Sequence, residues 1–95
     1  LPRHGLMGTL SLDAESFVTD SAAAATAIAT GVKTINGAVA IDAAGRPRAT
    51  LLEHARRAGK ATGLVTTCQV TDATPAAFGA HVIHRSDQSE IARQY

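Results

Sequence analysis

The period of apolar and polar positions changes several times along the chain. Leu6, Leu10 and Leu12 fall on one face of an extended segment with Gly8 between them, which predicts a strand. Asp13 to Ser16 reads as a turn, and Phe17-Val18-Thr19 as a short strand delivering Asp20-Ser21. From Ser21 the pattern becomes small and apolar, with strong helix propensity. Gly31 suits the left-handed position that follows a helix end. Asn36-Gly37 marks a turn, Val39 and Ile41 alternate toward one side, and Ala43 to Arg48 reads as a surface loop.

The second half has clearer punctuation. Thr50 and Glu53 have the spacing of a capping box, Leu51, Ala55 and Ala58 share one helix face, and Gly59 closes the helix. Ala61 to Thr67 is a short apolar run of the kind found in a buried strand. Thr74 reads as the cap of a further short helix with Pro75 in its first turn. Asp87 and Glu90 open a last helix that runs from Ser86 to Tyr95. A helix followed by a buried strand and then a loop rich in Asp and Thr predicts a layered α/β fold. In such sheets function gathers in the loops beyond the carboxyl ends of the strands. Asp20-Ser21 and Asp72-Ala73-Thr74 both stand in that type of position.

Those two loops carry the candidate chemistry. Asp20 sits at an N-cap and Ser21 in the first helical turn, where unpaired N–H groups and the helix dipole favour an anion. A Ser21 hydroxyl there faces a negatively charged group such as a phosphate, although capping alone also accounts for an Asp-Ser pair. A serine hydroxyl is a weak nucleophile until a base, a metal or a positive field activates it. Arg85 has the planar guanidinium that holds two phosphate oxygens at once, but a lone arginine is more often a solvated charge. Asp72 and Thr74 offer hard oxygen donors suited to magnesium; alternatively both side chains cap backbone groups in an Asp-x-Thr turn.

Composition narrows the alternatives. A net charge of +1, with no basic stripe interleaved with aromatics, argues against a dedicated nucleic-acid surface. No apolar stretch approaches the roughly 20 residues that span a bilayer. Cys68 has no partner for an internal disulfide and reads as buried and inert. His81 and His84, three apart, suit one helix face, but a single pair cannot close a zinc site. There is no P-loop, no dinucleotide fingerprint and no G-x-S-x-G elbow of a serine hydrolase.

Val18-Thr19-Asp20-Ser21-Ala22-Ala23-Ala24-Ala25-Thr26 resembles the active-site signature of the alkaline phosphatases. The likeness continues through Thr30-Gly31-Val32-Lys33-Thr34, Asn36-Gly37-Ala38 and Ala58 to Gly63. It reaches a second signature at Thr71 to Ala77, then Ala80-His81-Val82 and Arg85. The resemblance implies a layered α/β/α fold with a central, largely parallel sheet, incomplete here, and residues 1–95 as a fragment of one catalytic domain. The chain begins at Leu1 instead of Met and ends at Tyr95 inside a helix, so it reads as the early middle of a longer enzyme.

The same resemblance implies the chemistry: hydrolysis of phosphate monoesters through a phosphoserine on Ser21, with two zinc ions and one magnesium as cofactors. Ser21 would be bound by zinc, and Arg85 would clamp the phosphate while hydrogen-bonded by Asp20. Asp72 and Thr74 would contribute to magnesium, Asp72 matching the bacterial pattern where many animal enzymes carry His. The upstream metal-bridging aspartate would precede Leu1 and the remaining zinc ligands would follow Tyr95, so the fragment alone is expected to be inactive. A homodimer in the periplasm or secreted is also implied. The competing readings are a phosphodiesterase- or sulfatase-like relative, which usually carries Thr or a modified residue as nucleophile, and a non-catalytic α/β fragment.

Overall fold

The computed structural model describes residues 2–95; Leu1, part of the 1–95 domain reading, lies outside the described residues. Four helices follow in order: α1 Ser21–Thr30, α2 Leu51–Arg57, α3 Ala73–Gly79 and α4 Gln88–Gln94. Their ends are set by local chemistry. Asp20 caps α1 by accepting the Ala23 N–H at 2.8 Å, and Gly31 ends it in the left-handed region at φ 73°. On α2 the capping box is complete, with Thr50 Oγ1 accepting the Glu53 N–H and Glu53 accepting the Thr50 N–H. Past its end, Gly59 N–H bonds Arg56 and Lys60 N–H bonds Ala55, the reciprocal pair of a Schellman motif around a glycine at positive φ. Asp87 caps α4 through the Glu90 N–H.

Alanine sets the packing. Ala22 and Ala25 of α1 meet Ala73, Ala76 and Ala77 of α3 in one cluster that also holds Ala80, Val39, Val82 and Ile91. Side chains this small let two helix backbones approach closely, so the α1–α3 contact fixes where both helices begin. Thr26 is fully buried in α1 and uses its hydroxyl twice, donating to Ala38 and accepting the Ala40 N–H at 2.9 Å. Ala40 has an unusual φ of 47°, held by pairing on both sides: its N–H to Thr26, and its carbonyl to Arg48 and to the His81 ring.

The expected sheet is absent among the described residues; two isolated antiparallel bridges, Val39 to Val82 and Ile41 to Pro47, are the only β pairing. The segments at Leu6 to Leu12, Phe17 to Thr19 and Ala61 to Thr67 all run without forming strands. Leu6, Phe17 and Val65 are almost wholly exposed. A strand exists only by pairing with another, and these segments find no partner among the described residues.

Smaller expectations also give way. α3 begins at Ala73, so Asp72 and not Thr74 holds the cap position, and its side chain makes no capping bond. His81 and His84 are not helical. Cys68 is exposed, not buried, because the strand expected to bury it does not form. On α2, Leu51 and Ala58 are exposed, and the inward side is formed by Leu52, Glu53 and Ala55.

His81 ties these pieces together. Its Nδ1 lies 2.9 Å from the Ala40 carbonyl and its Nε2 3.1 Å from Glu53 Oε1. Gln94 of α4 brackets the same residue, accepting its N–H and donating to its carbonyl. Burial raises the Glu53 carboxyl, but the Thr50 N–H and the His81 ring outweigh it and hold it below its ordinary 4.5. A lowered carboxyl binds fewer protons folded than unfolded, so its contribution is present above about pH 4.5 and is lost as pH falls through the folded value. Glu53→Ala is expected to cost about 1–2 kcal/mol at neutral pH through the lost cap and the lost His81 contact. Denaturant unfolding at a series of pH values should show a shallower loss of stability below pH 4.5 in Glu53→Gln than in the wild type.

Candidate active site

The site forms where the N-terminus of α1 meets the start of α3 and the turn at Arg85. Ser21 is the first residue of α1 and is exposed. At this end Asp20 N–H is taken by Asn36 Oδ1 at 3.0 Å and Ala23 N–H by Asp20 itself. The N–H groups of Ser21 and Ala22 are left without an acceptor among the described residues, which leaves the helix end open to an anion.

Arg85 reaches across 64 residues of sequence and donates from Nη1 to Ser21 Oγ at 2.6 Å. The same nitrogen stands 3.5 Å from Asp20 Oδ2, and Nη2 stands 3.5 Å from Asp72 Oδ1. The structure therefore gathers Ser21, Asp20, Arg85 and Asp72 around one guanidinium. Asp20 meets Arg85 as an ion pair at this distance and accepts its short hydrogen bonds from the Ala23 and Gly37 N–H groups. Thr74 is not drawn into that group: it is exposed and lines a groove with Leu64, Thr66 and Phe78.

One guanidinium against two carboxylates leaves a formal charge of minus one at the Ser21 hydroxyl. A phosphate monoester, itself carrying close to two negative charges at neutral pH, is repelled by that balance unless cations join it. The donor set is compatible with such a cation. Asp72 is partly exposed and unused in capping, and Thr74 makes no capping bond, so the alternative of a turn with both side chains spent on the backbone does not hold. Carboxylate and hydroxyl oxygens are what magnesium prefers. No group of three or more His, Cys, Asp and Glu gathers among the described residues, so either ion would need donors beyond these side chains. A groove of about 610 Å³ lies elsewhere, between Leu52, Leu64 and Tyr95 beside the unpaired 61–64 backbone. It lies beside an extended segment that pairs with nothing among the described residues, and none of the charged cluster lines it.

A family model described as alkaline phosphatase matches residues 1–94. The chain belongs to the alkaline phosphatase family. It is 48% identical over 91 residues to alkaline phosphatase 4 of Bacillus subtilis, an alignment covering 96% of this chain and 20% of that protein. Among solved structures, the cold-active alkaline phosphatase of the psychrophile Shewanella sp. superposes with a TM-score of 0.89 at 44% identity, over 95% of this chain and 23% of that one. A His-to-Asp mutant of the TAB5 alkaline phosphatase, solved with Mg bound in its M3 site, superposes at 0.86 with 40% identity, over 95% and 25%. The chain thus spans about a fifth of the length of the curated relative.

Asn36-Gly37 reads from the sequence as a turn within a block of the family likeness, with no chemistry assigned to it. In the structure the turn is the joint of the site. Gly37 N–H donates to Asp20 Oδ2 at 3.0 Å, and Gly37 carbonyl accepts the Arg85 N–H at 2.7 Å. A glycine is required there, since φ is +82° and an added Cβ would lie 2.7 Å from the His84 ring. The ring is exposed and free to turn aside, so the backbone angle decides the cost. Gly37→Ala should destabilise the protein by about 1–2 kcal/mol. Thermal unfolding should show that adding His84→Ala fails to restore that loss.

Proposed function

We propose that the whole protein containing this chain hydrolyses phosphate monoesters, with Ser21 as nucleophile and Arg85 as phosphate clamp. The observation that carries the reading is the 2.6 Å contact between Arg85 Nη1 and Ser21 Oγ at an open helix N-terminus, flanked by Asp20 and Asp72. The family membership supports it.

In this reading Arg85 leaves Ser21 when substrate enters and takes two non-bridging phosphate oxygens on its planar fork. The Ser21 oxygen loses its proton to solvent and attacks phosphorus opposite the ester oxygen. The P–O bond to the leaving group breaks, and the departing alcohol gains a proton from water, leaving a phosphoserine. Water then attacks the same phosphorus, releasing inorganic phosphate and regenerating the Ser21 hydroxyl. Asp20 holds Arg85 in place, and the free Ser21 and Ala22 N–H groups favour negative charge on the transferred group.

Two zinc ions and one magnesium, when bound, supply Lewis acidity and the positive charge that the minus-one cluster lacks. Ser21 is the chain's contribution to zinc, and Asp72 with Thr74 its contribution to magnesium. The TAB5 relative with an introduced aspartate and bound magnesium is in keeping with that preference. The layered α/β/α sheet, a homodimer and a periplasmic or secreted location complete the proposal on the strength of the resemblance. With only part of the ligand set present, the isolated chain is expected to show no turnover.

Release of p-nitrophenol from p-nitrophenyl phosphate by the whole protein tests the reading. EDTA should abolish turnover and zinc with magnesium should restore it. Ser21→Ala should lower kcat/KM by at least about a thousandfold. Robust turnover in Ser21→Ala would remove Ser21 as nucleophile, and a preference for a phosphate diester over the monoester would move the protein to the diesterase class.

A further inference from the structure

The geometry points to Asn36 as a positioning residue that sets phosphate affinity through Asp20 and Arg85, an inference that rests on the proposed phosphate role of Arg85. Nothing in the local sequence assigns Asn36 chemistry, and it is remote from Arg85 along the chain. Its amide is fully committed. Oδ1 accepts the Asp20 N–H at 3.0 Å, and Nδ2 donates to the Val18 carbonyl at 2.9 Å, with Ser16 Oγ further off at 3.5 Å. One orientation of the amide satisfies both a donor and an acceptor, so the side chain is locked. Its own N–H is fixed in turn by Asp13 Oδ2 at 2.8 Å.

The next peptide unit completes the device. Gly37 N–H holds Asp20 Oδ2, the oxygen that faces Arg85 Nη1, while Gly37 carbonyl holds the Arg85 backbone N–H. Asn36 and Gly37 together grip Asp20 at its main chain and its carboxylate, and grip Arg85 at its main chain. The guanidinium therefore meets Ser21 in a geometry set by one two-residue turn. Without the Asn36 amide, the Asp20 backbone is released from the turn. The carboxylate then loses its fixed distance to Arg85, and the fork spends part of its time turned away from the phosphate position.

The consequence is specific to binding the phosphate group. Arg85 contacts it before and during reaction, so a misplaced fork weakens substrate and transition state alike. Asn36→Ala should raise KM for p-nitrophenyl phosphate by about tenfold while kcat falls by less than about threefold. A general loss of folding would instead reduce the amount of active enzyme and leave KM unchanged.

The deciding experiment is calorimetric titration of inorganic phosphate into the whole protein, loaded with zinc and magnesium. Wild type, Asn36→Ala, Arg85→Ala and the double variant are compared, with thermal unfolding of each. Phosphate should bind Asn36→Ala about tenfold more weakly, and Asn36→Ala should cost less than about twofold in the Arg85→Ala background. Unchanged affinity in Asn36→Ala, or the same tenfold loss in both backgrounds, would overturn the inference. Unchanged affinity in Arg85→Ala would instead overturn the clamp itself, and the positioning role with it. Should Asn36→Ala fail to fold, Asn36→Ser places a small polar side chain in the turn that cannot bridge Asp20 and Val18, and the same comparison of backgrounds applies.

Discussion

The close approach of α1 and α3 is the constraint on which the rest depends. It is made of alanine: Ala22 and Ala25 on one side, Ala73, Ala76 and Ala77 on the other. Five of the side chains in this cluster are single methyl groups on the two helices, so the helix starts sit close together. Ser21 opens one helix, Asp72 stands just before the other, and Arg85 spans the gap. A single added methylene at this contact would move the two starts apart by more than a hydrogen bond tolerates.

Around that contact, the polar groups are arranged as ties between distant loops. Thr26 inside α1 holds the 38–40 backbone, and His81 joins that backbone to the capping box of α2. Gln94 extends the line to α4. The Asn36-Gly37 turn belongs to the same system and is the member that reaches the charged cluster. The site is thus held by loops that are hydrogen-bonded to helices, with no strand edge supporting it among the described residues.

The sequence made some of this legible and not the rest, for reasons of range. Helix ends are local: Asp20, the Thr50–Glu53 box, Gly31, Gly59 and Asp87 each do what their spacing predicts. Strands are not local, and the apolar runs at 6–12 and 61–67 form none here because pairing needs a second segment. Thr74 was misread by two residues because Pro75 fits the third helical position as well as the first. In the site, Asp20 and Ser21 are visible from their own neighbours, whereas Arg85 stands out only through the family signature. Asn36 was readable as a turn residue, but its grip on Asp20 arises from a fold that brings residues 16 positions apart into contact.

The uncovered 61–67 segment also bears on how the molecule is made. Its peptide groups make no backbone bonds among the described residues, and Val65 stands wholly in solvent. A segment of this kind leaves its N–H and C=O groups free to pair with the same segment of a second copy. α3 beside it packs mainly on α1, far away in the sequence, so no early local contact covers the segment. Pairing between copies is second order, so protein concentration during synthesis sets how often the exposed segment meets another chain.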